Sequence, residues 1–513
     1  MTQQPPIKRG KVPGLSDASG EIRAGTPTLQ RNVLGLLAVA TMGAIVMSPC
    51  LGMYFNWAPM SVAAGQISPL IYIIALLISL PTAISYAMVS KELPSAGQAY
   101  TWLWNSFRPW VGMWLAPIFV MFYLTGVWLV NMFFGLFFGE LLRYMHVPSS
   151  QVWVIVGILL LAGITAFIVY RGIQINARIA LGLMIFESII ILALCVTILV
   201  HQGAHGHLSA APFNFKNATD GFSGVKTAAI FGVLSFIGYD YACVVAEEAK
   251  TPRRLMPVGV LLACITVGLF WIVCSYALAE SVNLSDIPGF IATGFTAIVP
   301  IAKIYWGPWR ILIIITGLTA SVGIYIAAVP ITARVIFALA RDGVMPKKFS
   351  EIHPGTKIPA NAVTLIMIVG TVGALLVSLL ERSYYNAYVW FGQASVFFAL
   401  VTYIFVNFAS IAFYWRFLRP RFSLVWNLLV PVIGIGIDLY VLWQSFFVAL
   451  WNAPFATGRS IVVFACVWCA VATVYVVWLR ARRPGLFAKK SFVLPDVDVE
   501  SIESVRVTGG TDG

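Results

Sequence analysis

Ala44-Ile45-Val46-Met47-Ser48-Pro49-Cys50-Leu51-Gly52 lies inside an apolar run over 33–55, and its proline decides how that run can be read. Pro49 has no N–H and its ring collides with the preceding turn, so carbonyls upstream lose their helical partners. A run of about 20 apolar residues can cross ~30 Å of hydrocarbon. There, every backbone polar group needs a partner within the protein, and an interruption is tolerated only beside a cavity or another helix. A second interruption, Ser235-Phe236-Ile237-Gly238-Tyr239-Asp240, falls in the run 226–247 and adds a carboxylate in mid-span.

Outward from these two segments, apolar runs recur at 33–55, 67–90, 110–138, 152–170, 177–200, 226–247, 257–279, 309–340, 361–380, 390–415, 424–449 and 460–479. The chain of 513 residues is 60% hydrophobic and 10% charged, far from the roughly 25% charged of soluble domains. The expectation is an all-α integral membrane protein with about 12 transmembrane helices. Polar tails flank it at 1–30 and 481–513, around a membrane domain at 31–480. Residues 1–30 hold no apolar core, so no cleavable signal is expected and the first span serves for insertion.

The net charge of +13 is explained by topology rather than by nucleic acid. With the N-terminus inside, 26 of the 33 Lys and Arg fall in the tails and inner loops and 7 in the outer loops. This is the positive-inside pattern, and it predicts both termini cytoplasmic. The seven cysteines all fall in or beside apolar runs, where they act as small apolar residues, and no disulfide framework is expected. Cys466-Val467-Trp468-Cys469 has redox spacing, but within a span it reads as packing. His201, His205 and His207 lie in a Gly-rich outer loop without carboxylate neighbours, so a solvated loop is preferred to a metal site. No metal and no cofactor are expected.

The interruptions occupy spans one and six, which correspond if the first ten helices form two five-helix repeats. Paired discontinuous helices of this kind mark the midplane binding site of inverted-repeat transporters. Free carbonyls suit an ammonium group, and half-helix N-termini suit a carboxylate.

More specific are three segments: Ser85-Tyr86-Ala87 through Glu92-Leu93-Pro94-Ser95-Ala96-Gly97-Gln98-Ala99-Tyr100, Gly238-Tyr239-Asp240 through Glu247-Glu248-Ala249-Lys250-Thr251-Pro252-Arg253-Arg254, and Arg334 through Ala340-Arg341-Asp342-Gly343-Val344-Met345-Pro346. With the order of helices, they make residues 30–480 resemble the amino acid-polyamine-organocation permease superfamily. The resemblance implies a leucine-transporter-like fold of 5+5 inverted repeats, about 31–200 and 226–415, with helices one and six broken and two accessory helices at 424–479. It implies substrate contacts at Ile45, Ser48, Pro49, Phe236, Ile237 and Gly238, with Leu234 and Tyr239 shaping the cavity. Pro49 departs from the family's usual Gly-Ser-Gly and removes one N–H that a carboxylate could use.

Asp240 has three readings: partner of a substrate ammonium, proton acceptor, or cap of the second half of helix six. Glu187 has no Lys or Arg within one turn, so it must be protonated at rest or paired with a cation or a distant helix. The resemblance aligns it with a helix-five lysine that stands in for sodium in several relatives. It reads either as a proton-coupling group or as a neutral acid bonded to a neighbouring helix. Thr319 and Ser321 offer hydroxyls to sodium, or bond their own helix carbonyls. Lys91, Glu92, Glu247, Glu248, Arg253, Arg254, Arg341 and Asp342 fall at the inner boundary, with Glu92, Arg253 and Arg341 as candidate cytoplasmic gate residues or as ordinary topology charge.

The expected activity is secondary active transport of an amino acid across the plasma membrane, or the inner membrane of a bacterium, coupled to protons or running by exchange. An organic amine such as a polyamine is the alternative substrate. An intramembrane enzyme would need a nucleophile and base or a cofactor loop, neither evident. A non-transporting receptor or a channel is more remote.

Overall fold

The computed structural model describes residues 29–148, 150–293, 296–380 and 384–488. Of the expected tails, 1–28 and 489–513 lie outside them, while 481–488 continues the last span and adds the short helix Pro484–Ala488. Among the described residues there are helices and two isolated β-bridges, Leu34–Ala249 and Gly65–Ala218, and no strand.

Among the described residues, eleven helices are long and apolar enough to cross a membrane: Leu36–Ala64, Ser68–Glu92, Pro109–Tyr144, Gln151–Val169, Ile173–Ala204, Pro252–Ala279, Ile298–Arg341, Ala360–Leu379, Asn386–Phe417, Val425–Leu450 and Ser460–Arg482. The run 226–247 does not add a twelfth by the same measure. Its apolar helix, Gly221–Ser235, is short, and regular structure resumes only at Tyr241–Val244. The eighth run also differs from its expected length. The helix begins at Ile298, before the charged Lys303, and turns at Gly307, whose φ of 56° is glycine's region.

Burial divides these helices into two kinds. Leu36–Ala64, Pro109–Tyr144, Ile298–Arg341 and Asn386–Phe417 are mostly enclosed by other helices. Ile173–Ala204, Val425–Leu450 and Ser460–Arg482 leave most of their apolar surface outward, which is stable only in lipid. The chain is therefore a multi-pass membrane protein whose centre is lined by four of its helices.

The centre closes tightly because glycines allow it. Gly317 lies against the Phe137 ring and Gly52 against the Trp271 indole, each within about 2.5 Å of where a Cβ would stand. Small residues at such crossings bring helices close where lipid offers no hydrophobic drive for association. One segment expected as a connecting loop is instead a buried helix. Gln98–Ser106 packs beneath the third span, and eight of its nine residues are buried.

Candidate substrate site at two helix interruptions

Helix Leu36–Met47 stops at Ser48, whose φ of 51° and ψ of 114° are not helical, and the chain turns back into helix at Pro49. Proline is well suited to this first position, having no N–H to leave unpaired. Ser48 Oγ accepts from Leu51 N–H at 3.2 Å, so its hydroxyl caps the restarted helix. Gly52 N–H reaches the Ser48 carbonyl at 3.5 Å, which leaves Cys50 as the remaining amide of that first turn. A π-helical turn follows at Gly52–Asn56, and the freed backbone finds partners on other helices. Trp271 Nε1 donates to the Pro49 carbonyl at 3.0 Å and the Tyr72 hydroxyl to the Gly52 carbonyl at 3.0 Å.

The second interruption runs from Phe236 to Asp240, with Gly238 at φ 126°. A Cβ on Gly238 would stand 3.2 Å from Met47 N and from a Val46 methyl, and one on Gly43 would stand 2.8 Å from the Tyr239 carbonyl. The two interruptions therefore touch. Among the described residues, the carbonyls of Ile45, Val46, Met47, Phe236 and Ile237 accept no backbone hydrogen bond outside their helices. Ile45 packs on Gly323 and Leu183. Phe236 meets Trp271 edge to face at 5.1 Å, while Leu234 and Ile237 are half-buried.

Asp240 is fully buried and well supplied with donors. Tyr403 Oη donates to its Oδ1 at 2.8 Å, and Tyr123 Oη lies 2.8 Å from Oδ2. Gln98 Nε2 donates to the Asp240 carbonyl at 2.7 Å, which points the Gln98 amide oxygen at Tyr123 Oη, 3.1 Å away. Tyr403 Oη also accepts from Gly238 N–H at 3.3 Å. Tyr86 and Tyr239 complete an aromatic floor with Tyr403 at centroid distances of 5.3 to 6.0 Å. Asp240 thus begins the helix Tyr241–Val244 without a side-chain cap bond, and its carboxyl belongs to tyrosines from two other helices. On the opposite side of the interruptions, Phe55 stacks on Tyr388 at 4.1 Å and meets Phe133 at 5.0 Å. The backbone junction lies between two aromatic layers.

Glu187 is buried while Ile185, Phe186 and Ile189 of the same helix are exposed, so the carboxyl points inward. Neither oxygen has a regular hydrogen bond among the described residues. Its polar neighbour is the Cys50 thiol, just past the first interruption, a weak donor. Cys50 Sγ in turn lies 4.0 Å from the Thr316 carbonyl, and Thr316 Oγ1 shares a short bond with Tyr54 Oη. The expected sodium hydroxyls are spent locally. Thr319 donates to Ile315 and Thr316 carbonyls and Ser321 to Gly317.

Two ion pairs lie beyond Asp240. Arg334, in the fully buried end of its helix, holds Glu248 with Nη2–Oε1 at 2.9 Å, and Arg341 grips Glu247 through two bonds of 2.9 Å. Glu248 also ties the start of the chain, its carbonyl accepting from Val33 and Leu34. Of the expected gate residues, Arg341 takes part. Glu92 faces Lys91 and the Tyr414 hydroxyl at 3.4 Å instead, and Arg253 is exposed without an ion pair among the described residues. Arg334 was quoted from the sequence only as the start of a motif. Of the histidines expected in an outer loop, His201 lies instead in the last turn of helix Ile173–Ala204, with His205 bonded to the His201 carbonyl and His207 to Gln202 at that helix end.

Touching helix interruptions flanked by buried acids are the kind of feature around which inverted-repeat transporters build a binding site. The chain belongs to the amino acid permease family, whose model matches residues 34–484. It is 26% identical over 458 residues to the low-affinity putrescine importer PlaP of Escherichia coli, covering 87% of this chain and 93% of the relative. It is 24% identical over 389 residues to the branched-chain amino acid permease BcaP of Bacillus subtilis, covering 73% and 80%. The Lactococcus lactis permease of the same name is 29% identical over 316 residues, covering 59% and 66%. These relatives are transporters, not enzymes.

Proposed function

We propose that the chain is a secondary active transporter carrying an amino acid or a small organic amine through the junction of its two interrupted helices. The observation that carries this reading is the contact of Gly238 with Met47, which brings together two interruptions whose carbonyls at Ile45, Val46, Met47, Phe236 and Ile237 accept no backbone bond outside their helices among the described residues. An ammonium group is the natural partner for such a set. The likeness to a putrescine importer and to branched-chain amino acid permeases supports the same substrate range.

The donor side is sparse. Pro49 contributes none, Leu51 and Gly52 bond Ser48, and Cys50 alone remains in that turn. At the first interruption a substrate carboxylate would have few N–H groups to meet, whereas at the second the Tyr239 and Asp240 amides make no backbone bond among the described residues, so an amino acid and an amine are both accommodated.

In this reading, helices one to ten form two inverted five-helix repeats and the last two are accessory. Both termini lie in the cytoplasm, and the membrane is the plasma membrane, or the inner membrane of a bacterium. The ion pairs of Arg334 and Arg341 then close the cytoplasmic side, and Phe55 with Tyr388 covers the other. Coupling is by protons at two acids. Glu187 without donors is favoured as the neutral acid, because an unpaired buried charge costs several kcal/mol. Asp240 has two phenol donors, worth about 1.5–3 kcal/mol each to a charged acceptor, which nearly offsets its burial. A proton on Asp240 Oδ2 would free Tyr123 to donate to Gln98.

Reconstituted protein tested for uptake of radiolabelled leucine, arginine, glutamate, putrescine and spermidine, under pH and sodium gradients imposed separately, decides the matter. Uptake of an amine or an amino acid driven by the pH gradient is expected. No uptake of any of the five would overturn the proposal.

A further inference from the structure

A third buried acid stands outside the site. Asp438 lies in the middle of the eleventh span, Val425–Leu450, and is almost fully buried. Its Oδ2 accepts from Thr82 Oγ1 of the second span at 3.0 Å and from Asn407 Nδ2 of the tenth at 3.2 Å. Asn407 Nδ2 also donates to Thr82 Oγ1 at 2.9 Å. The three helices meet so closely because the eleventh carries Gly434 one turn away. A Cβ there would stand 2.9 to 3.0 Å from Thr82 Oγ1 and both Asn407 amide atoms.

Counting hydrogens exposes a deficit. The Thr82 hydroxyl hydrogen goes to Asp438, and the two Asn407 amide hydrogens go to Asp438 and Thr82. Asn407 Oδ1 is left buried without a donor among the described residues, an unfavourable arrangement. Asp438 makes no ion pair among the described residues. The titratable side chains facing it are Tyr86 of the second span and Tyr239 at the sixth-span interruption. The tenth span faces it with Asn407. Charged groups on the packed helices, Lys91, Glu92 and Arg416, are nine or more residues away along their helices, about 14 Å. A single proton added to the carboxyl removes the unpaired charge. With the Asn407 amide turned over, that proton can be donated to Asn407 Oδ1, while the amide NH2 takes the position without a partner, so what protonation removes is the unpaired charge.

We propose that Asp438, with Asn407 and Thr82, is a proton-binding site of the eleventh span, separate from the substrate junction. Asn407 stands one turn beyond Tyr403, which bonds Asp240, and Tyr239 and Tyr86 lie between the two acids. Proton occupancy at Asp438 therefore sets how the tenth span is held against the second, next to the aromatic floor of the junction.

The test is an infrared difference titration of the liposome-reconstituted full chain, which reads carboxylic-acid C=O stretching directly and needs no transported substrate. The wild type is expected to show an acid band that disappears on alkalinisation, is absent in Asp438→Asn, and persists in Glu187→Gln and Asp240→Asn. Asn407→Leu and Thr82→Val remove the bonding partners and are expected to move the frequency of that band and its midpoint. If Asp438→Asn fails to fold, the shifts in these two variants decide. An unchanged set of acid bands in Asp438→Asn, or unmoved bands in both partner variants, overturns the proposal.

Discussion

The two acids beside the interrupted helices are equally buried and oppositely furnished. Asp240 is met by two tyrosine hydroxyls at 2.8 Å, with Gln98 fixing its main chain, whereas Glu187 has a thiol beside it and no regular hydrogen bond. Burial alone is therefore no guide to what an acid does in this protein. A carboxyl with donors is a structural link among helices and can bear charge. One without donors gains nothing from charge until a cation or a movement supplies a partner.

This contrast can be sharpened by breaking its parts in turn. The largest effect is expected away from both acids, at the buried ion pair of Arg334 and Glu248. Arg334→Ala strands Glu248 in the interior and should cost about 3–5 kcal/mol, read as a loss of folded protein in detergent melting. Arg341→Ala, whose pair is partly open to solvent, should cost clearly less.

Next is the Asp240 network. Tyr403→Phe removes a bond to Oδ1 and the acceptor of Gly238 N–H, and is expected to destabilise by about 1.5–3 kcal/mol. Tyr123→Phe should cost no more, because Gln98 and Asp240 compete for one hydrogen. Equal and large losses in both would mean that Tyr123 donates to the carboxylate at all times.

Gly238→Ala tests the contact of the two interruptions. At φ 126° and with Met47 N 3.2 Å from the new methyl, the residue is strained by about 1–3 kcal/mol. Uptake should fall far more than stability if the junction binds substrate. The smallest effect on stability belongs to Glu187→Gln, which exchanges one neutral group for another if the acid carries a proton. A marked loss of stability there would mean that Glu187 is charged and paired.

Much of this was legible in the sequence because the membrane makes backbone defects conspicuous. Pro49 and Gly238 could be read directly as interruptions, and Glu187 as an inward-facing acid, since an apolar run has few ways to hide either. The partners were not legible. Tyr123 and Tyr403 are 117 and 163 residues from Asp240, and nothing local distinguishes them from the other aromatic residues of their spans. Gln98 lies in a segment that appeared to be loop, although its motif was noted. Asp438 carried the same signal as Glu187, an acid amid Val430–Leu442, and applying that criterion to every span would have found it. The placement of Glu92, Arg253 and Arg341 at the inner boundary allowed either a gate or ordinary topology charge. Arg334 and Glu248 form a buried ion pair beside that of Arg341, not foreseen because an arginine near a helix end reads as surface until the neighbouring helices are placed.

The comparison between the two acids is tested most directly by uptake into proteoliposomes under an imposed inward-acid pH gradient, measured with putrescine and with leucine for the wild type and for Glu187→Gln. The wild type should accumulate at least one of them in proportion to the gradient, and the variant should retain uptake that no longer responds to it. A Glu187→Gln protein whose uptake follows the pH gradient as the wild type does would contradict the account.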